Sequence, residues 1–231
     1  MIKNSLFSDL IHLFFPKVCA ACDVVLLSHE EMICTECMYH LPFTDFHLDP
    51  KNESAQQLLG KIESNFVVSM LYLAKHSRVE NLLHRLKYKS NPEIGDFLGQ
   101  LYAARLANLL LQNNIELIIP IPLHTSKLRK RGYNQSSYFA KGISERVGIK
   151  VEENALIRIQ ASQSQTTKSR IERYDNVDGV FVVNEQIAQQ LPGKNILLVD
   201  DILTTGATLA AAGNKLIEAG AIVSIATIAR A

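Results

Sequence analysis

Residues 196–208 run Ile196-Leu-Leu-Val-Asp-Asp-Ile-Leu-Thr-Thr-Gly-Ala-Thr208. Four apolar residues lead into two adjacent carboxylates, Asp200 and Asp201, and then a small hydroxyl-rich turn with one glycine. Leu209 to Ala219 follows with a helix-like pattern. The order implies a buried strand, an acidic pair at its carboxyl end and a loop that opens a helix. In an open α/β sheet, ligands bind outside the carboxyl ends of strands. The free N–H groups and positive dipole end of a helix N-terminus suit a phosphate. The carboxylates would repel that phosphate and match hydroxyls or a magnesium shell better. The expected ligand is a sugar phosphate, with its phosphate on Thr204, Thr205, Gly206, Ala207 and Thr208 and its hydroxyls on Asp200 and Asp201. The chain has neither a Gly-x-x-x-x-Gly-Lys-Ser/Thr loop nor a Gly-x-Gly-x-x-Gly fingerprint.

The four cysteines, Cys19, Cys22, Cys34 and Cys37, form two Cys-x2-Cys pairs separated by eleven residues. Each pair can present two thiolates to one metal, and four thiolates in tetrahedral array suit Zn²⁺. The alternatives are an iron-bearing rubredoxin-like site, two disulfides or a redox dithiol. A cytosolic chain disfavours stable disulfides, and a thioredoxin-type dithiol would not be duplicated. Four protein ligands leave no open position, so the expected zinc is structural. Asp23 to Ile33, between the pairs, contains no Lys or Arg and makes a poor phosphate-binding surface. His29 and His40 read as bystanders.

Two basic segments could serve the same ligand. Pro120-Ile-Pro-Leu-His124 closes a buried-strand pattern and feeds Lys127, Arg129, Lys130 and Arg131. Cations and free amides at a strand's carboxyl end can neutralise a pyrophosphate, which makes His124, Arg129 and Arg131 candidates. Further on, Gln163 to Phe181 begins as a polar stretch, and its Lys168, Arg170 and Arg173 could close over a bound anion as a lid.

The elements that must position these groups alternate. Strands are expected at Phe66–Ala74, Ile115–Ile119, Leu156–Ile159, Gly179–Val183, Ile196–Val199 and Ile222–Ile228. Helices are expected from His76 to Lys89, from Pro92 to about Gln112, from Ser126 to Val147 with a break at Gly132, and from about Thr208. Such alternation implies βαβ units and a mostly parallel sheet flanked by helices. Thr44 to Asn65 is polar and reads as a linker with a short helix. The expected division is 1–64, holding an N-terminal helix, the cysteine segment and the linker, and 65–231, holding the α/β domain.

At 231 residues, 47% apolar and 20% charged, the chain is ordinary for a soluble folded protein. A net charge of +1 leaves any nucleic-acid binding to local patches. Lys127–Arg131 with Tyr133 and Tyr138 is one such candidate for single-stranded DNA. Residues 1–16 carry apolar positions at helical spacing, but Asp9 and His12 interrupt them and no small-x-small site follows. A helix docking on its own protein is expected rather than a signal peptide. No run reaches the ~18 apolar residues of a membrane span, and the expected location is the cytoplasm. Oligomeric state stays open.

The run 196–208 resembles the signature of type I phosphoribosyltransferases. That resemblance implies 5-phosphoribosyl-1-pyrophosphate (PRPP) as ligand, with Mg²⁺, and a five-stranded parallel core with a small hood. The wider chain resembles the competence-protein ComF family, phosphoribosyltransferase-like proteins linked to bacterial DNA uptake. The residues that carry this are Asp9 to Cys22, Cys34-Thr-Glu-Cys37, Leu86-Lys-Tyr88, Pro120 to His124, Arg131-Gly-Tyr-Asn-Gln135, Gln165 with Arg173 and Asn176, and the loop at 200–208. Tyr133 stands where Phe is expected as often, and it keeps the ring. The resemblance implies phosphoribosyl transfer to an acceptor, or a non-catalytic role with DNA-uptake proteins.

Overall fold

The computed structural model describes residues 16–159 and 180–231. Its strands are β1 (Val67–Tyr72), β2 (Leu117–Pro120), β3 (Lys150–Val151), β4 (Leu156–Arg158), β5 (Phe181–Val183), β6 (Asn195–Leu203) and β7 (Ile222–Arg230). Five of them form one parallel sheet in the order β1-β7-β6-β2-β3, and β4 and β5 form an antiparallel ribbon. The helices are α1 (Thr35–Tyr39), α2 (Glu53–Leu58), α3 (Arg78–Tyr88), α4 (Glu93–Gln112), α5 (Thr125–Arg131), α6 (Gln135–Val147), α7 (Glu185–Ala188) and α8 (Ala207–Glu218).

Side chains alternate across a strand, so β6 divides its apolar residues between two cores. Leu197 and Val199 join one with α3, α4, α6 and the cysteine segment, whereas Ile196 and Leu198 join another with α2 and α8. Burial on both faces explains why β6 reads as a continuous apolar run, as strands of covered parallel sheets do. The first core needs two glycines. A Cβ on Gly142 of α6 would lie 2.0 Å from the Asp96 carbonyl oxygen, and one on Gly99 of α4 would lie 2.4 Å from the Phe139 carbonyl oxygen. Backbone contact at that range locks α6, which starts beside the acidic pair, against the longest helix of the described residues.

The strand order places a crevice at the acidic pair. The chain leaves β2 toward β3 on one side and leaves β6 toward β7 on the other, so their shared boundary is a topological switch point. Pairing of β2 with β6 ends at Pro120 opposite Val199 and at the Ile121 N–H on the Val199 carbonyl. β6 itself continues to Leu203, paired with β7 alone. The strand is thus longer than the expected Ile196–Val199, and Asp200 and Asp201 lie inside it where its β2 side has opened.

The short helix expected between Thr44 and Asn65 is present as α2, but the segment is packed rather than a free linker, because its polar side chains make contacts. Phe43 bridges Leu71, and Thr44 N–H donates to Met70. Asn52 Nδ2 donates to the Val67 carbonyl at 2.9 Å. A buried hydroxyl chain runs from Ser54 to Ser69 at 2.8 Å and on to Thr227 at 2.7 Å. Glu53 pairs with Arg230 at the end of β7. Hydrogen-bonded polar residues can fix a segment to a sheet edge without an apolar signature.

Candidate functional site

Asp201 follows the odd-numbered alternation of β6 toward α3, where its Oδ2 meets Lys87 Nζ at 3.0 Å. Both side chains are mostly buried, at 16% and 18% exposure. Asp200 Oδ1 accepts from Ser136 Oγ at 3.0 Å, in the first turn of α6, and from the Asp201 N–H at 2.8 Å. Burial first, and then the Asp201 charge, push the Asp200 carboxyl up to about 7, against the two hydrogen bonds and Lys87. Arg158, at the end of β4 and over the Phe181 ring, is held below its usual value by burial, with Asp200 countering. One carboxylate therefore keeps a fixed counter-cation while its neighbour sits near its titration point. This suits groups that orient hydroxyls or stabilise a positive centre.

The turn after β6 is gripped from α2. Gly206 has φ +80, and a Cβ there would lie 2.2 Å from Leu58 Cδ2, so both conformation and space call for glycine. Gln57 Nε2 donates to the Thr204 carbonyl, and Lys61 Nζ donates to the Thr205 carbonyl at 2.8 Å. Thr204, Thr205 and Ala207 are exposed. Thr205 Oγ1 accepts from the Ala207 N–H at 3.4 Å, and Gly206 at the N-cap adds no capping side chain to the twelve-residue helix α8, whose N-terminal end suits an anion.

The basic segment comes to the same side. Asn134 Nδ2 donates to the Ile121 carbonyl at 2.9 Å and pins the turn after β2. Arg131 donates to Gln135 Oε1 at 2.8 Å and lies 5.2 Å from the Tyr88 ring centre, next to Lys87. The Tyr133 hydroxyl donates to the Leu86 carbonyl. His124 caps α5, its Nδ1 accepting from the Ser126 N–H at 3.2 Å, and Arg129 is exposed. The rings of Tyr133 and Tyr138 meet edge to face at 5.5 Å in the wall of a cleft of about 470 Å³. Lys168, Arg170 and Arg173 lie outside the described residues, as do residues 1–15 of the expected N-terminal helix.

The four cysteine sulfurs lie within 4.8 Å of one another, and Cys22 and Cys34 are 3.7 Å apart. Zn–S bonds of about 2.3 Å in a tetrahedron place sulfurs about 3.8 Å apart, so the cluster fits a metal of that size. Burial opposes the Cys19 thiolate, but N–H donors from Cys34, Ala21 and Cys22 outweigh it and bring the thiol down to about 7. Burial and the neighbouring thiols push Cys37 up. Thiolates crowded in this way would repel one another, and a bound cation would stabilise them.

Sequence reasoning singled out the acidic pair, the loop, the basic turn and the cysteines. It gave no role to Lys87, Ser136, Arg158, Gln57 or Lys61. The only signal for Lys87 was its place inside Leu86-Lys-Tyr88.

A phosphoribosyl transferase domain model matches residues 134–231. With the parallel sheet, its switch-point crevice and the cysteine cluster, this defines the chain as a type I phosphoribosyltransferase-like α/β protein with an N-terminal cysteine segment. The chain is 24% identical to Competence protein ComFC of Bacillus subtilis over 233 residues, covering 91% of this chain and 92% of that one. It is 30% identical to Competence protein F of Haemophilus influenzae over 131 residues, covering 55% and 57%. It is 27% identical to DNA utilization protein YhgH of Escherichia coli O157:H7 over 143 residues. That match spans 61% of the relative's length. The chain is similar to these competence and DNA-utilization proteins, to ComFC along most of its length. Among the described residues no helix is long and apolar enough to cross a membrane.

Proposed function

We propose that the chain binds PRPP with Mg²⁺ and transfers its phosphoribosyl group to a nitrogen nucleophile, in the cytoplasm and in the service of DNA uptake. The observation that carries this is the acidic pair in the β2/β6 crevice, followed directly by the gripped Gly206 turn at the start of α8. Residues 65–231 supply the ligand site in this reading, and 1–64 the accessory part.

Thr204, Thr205, Gly206, Ala207 and Thr208 hold the 5′-phosphate. Asp200 and Asp201 take the ribose hydroxyls, and their charge favours the positive centre that develops at C1 as the pyrophosphate leaves. His124, Arg129 and Arg131 face the leaving pyrophosphate, and Lys168, Arg170 and Arg173 act as a lid that excludes water. When bound, Mg²⁺ would neutralise charge on the leaving pyrophosphate, and carboxylate oxygens of Asp200 and Asp201 would be suitable ligands. The cysteines hold a structural zinc.

The test is a PRPP titration with and without Mg²⁺, using Asp200→Asn/Asp201→Asn as control, followed by pyrophosphate release across a panel of bases and amines. Absence of PRPP binding by the native chain would sink the reading. Binding without release favours the second reading, a non-catalytic PRPP- or nucleotide-sensing factor that contacts single-stranded DNA or DNA-uptake proteins. The names of the relatives support that alternative. Its nucleic-acid form requires salt-sensitive single-strand binding that is lost on neutralising Lys127–Arg131.

A further inference from the structure

The helix α3 joins the cysteine cluster to the acidic pair. Its apolar stripe, Val79, Leu82, Leu83 and Leu86, is buried in the first core. At about 100° per residue, Arg78, Asn81 and Arg85 fall on one flank of that stripe and Lys87 on the other. The first flank holds both cysteine pairs. Asn81 Nδ2 donates to the Ala21 carbonyl at 2.9 Å, between Cys19 and Cys22. Arg85 pairs with Asp23, the residue after Cys22. Arg78 lies 3.8 Å from Glu36, between Cys34 and Cys37. On the other flank Lys87 sits on Asp201, and the next residue, Tyr88, stacks on Arg131.

The charges around the crevice give this cation a purpose. A sugar bearing only a 5′-phosphate offers the acidic pair neutral hydroxyls, which two carboxylates can accept unaided. A sugar with a second anionic group at C1 brings negative charge up to those carboxylates. Without a fixed cation, the pair that recognises the hydroxyls would repel it. An ammonium bound to Asp201 and adjoining the Arg131 stack removes that repulsion while Asp201 retains an oxygen for a hydroxyl.

We propose that Lys87 determines specificity for a sugar phosphate carrying a second anionic group beside its hydroxyls, and that the cysteine cluster, through Asn81 and Arg85, positions it. This rests on the sugar-phosphate reading of the crevice. The cysteine segment then does more than stabilise a small piece of chain, because it sets the charge of a site on the opposite flank of α3.

Calorimetric titration of the full chain with PRPP and with ribose 5-phosphate, each with Mg²⁺, tests the proposal. Lys87→Gln should weaken PRPP about tenfold, the scale of one partly buried charge-assisted contact, and leave ribose 5-phosphate within about twofold. Lys87→Arg should restore most of the preference. Asn81→Ala/Arg85→Ala, remote from the crevice, should reduce the PRPP preference in the same direction. Equal weakening of both ligands by Lys87→Gln, or none, overturns the role of Lys87. An unchanged preference in Asn81→Ala/Arg85→Ala overturns the role of the cysteine segment. If the native chain binds neither compound, the sugar-phosphate reading itself falls and takes the proposal with it. If it binds ribose 5-phosphate as tightly as PRPP, only the specificity claim falls. Circular dichroism melts of each variant separate misfolding from lost discrimination.

Discussion

Replacing Asp200 by Asn should make the protein more stable at pH 8 than the native chain, with almost no difference at pH 4. The folded protein raises this carboxyl from 3.8 to about 7. A raised acid binds its proton more tightly in the folded than in the unfolded chain. Between those two values the folded state holds a proton that the unfolded state has released. Stability then falls as pH rises, because the slope follows protons bound in the unfolded state minus those bound in the native state. The full shift corresponds to about 4 kcal/mol, at about 1.4 kcal/mol per tenfold. Asp200 keeps some contact with solvent, which screens part of this and leaves about 2–4 kcal/mol. Asn is isosteric and neutral, and it can still accept from Ser136 and from the Asp201 N–H, so it escapes the cost. Urea denaturation of both proteins at pH 4, 5, 6, 7 and 8 gives the difference directly. The gap should open between pH 4 and 7 and level off above about pH 8. A pH-independent gap, or a native chain that gains on the variant as pH rises, would refute the account of burial and like charge at this site.

Three further predictions follow from packing and from the cysteines. Gly206→Ala should cost about 2–4 kcal/mol by denaturant unfolding, from left-handed strain of about 1 kcal/mol and overpacking against Leu58; adding Leu58→Ala should make the double variant less unstable than the sum of the singles, and strict additivity would reject the contact. Gly142→Ala should cost about 3 kcal/mol or more, because its Cβ meets the Asp96 carbonyl rather than a movable side chain; a melt unchanged from native would contradict the close α4–α6 approach. Protein purified without chelators should carry about one zinc per chain, and Cys19→Ser or Cys37→Ser should lose it and melt earlier; metal analysis well below that stoichiometry in the native chain would exclude the four-cysteine zinc site.

Much of the fold was legible because its signals are local. The apolar run at 196–199, the helical stripe of Val79, Leu82, Leu83 and Leu86, and the breaks at Asn91-Pro92 and Gly132 mark elements that the structure contains. Gly132 interrupts the helical stretch with φ +81 and separates α5 from α6. The packing of Thr44 to Asn65 was harder, because Asn52, Glu53, Ser54 and Gln57 read as a polar linker with a short helix until their partners Val67, Arg230, Ser69 and Thr204 are known. The end of β6 was misplaced for a similar reason, since Asp200 discourages a strand reading although its backbone pairs with Thr227.

By itself the sequence determined the local chemistry: two carboxylates ahead of a glycine turn, and cysteines at knuckle spacing. Type and spacing are enough there, since neighbours along a chain stay within a few ångströms whatever the fold. Only the tertiary structure decided which cation and which supports these groups receive. Lys87 reaches Asp201, Ser136 reaches Asp200, and Gln57 and Lys61 reach the phosphate loop through strand order, register and helix packing. Those depend on how distant segments share one core, which no short stretch of residues encodes.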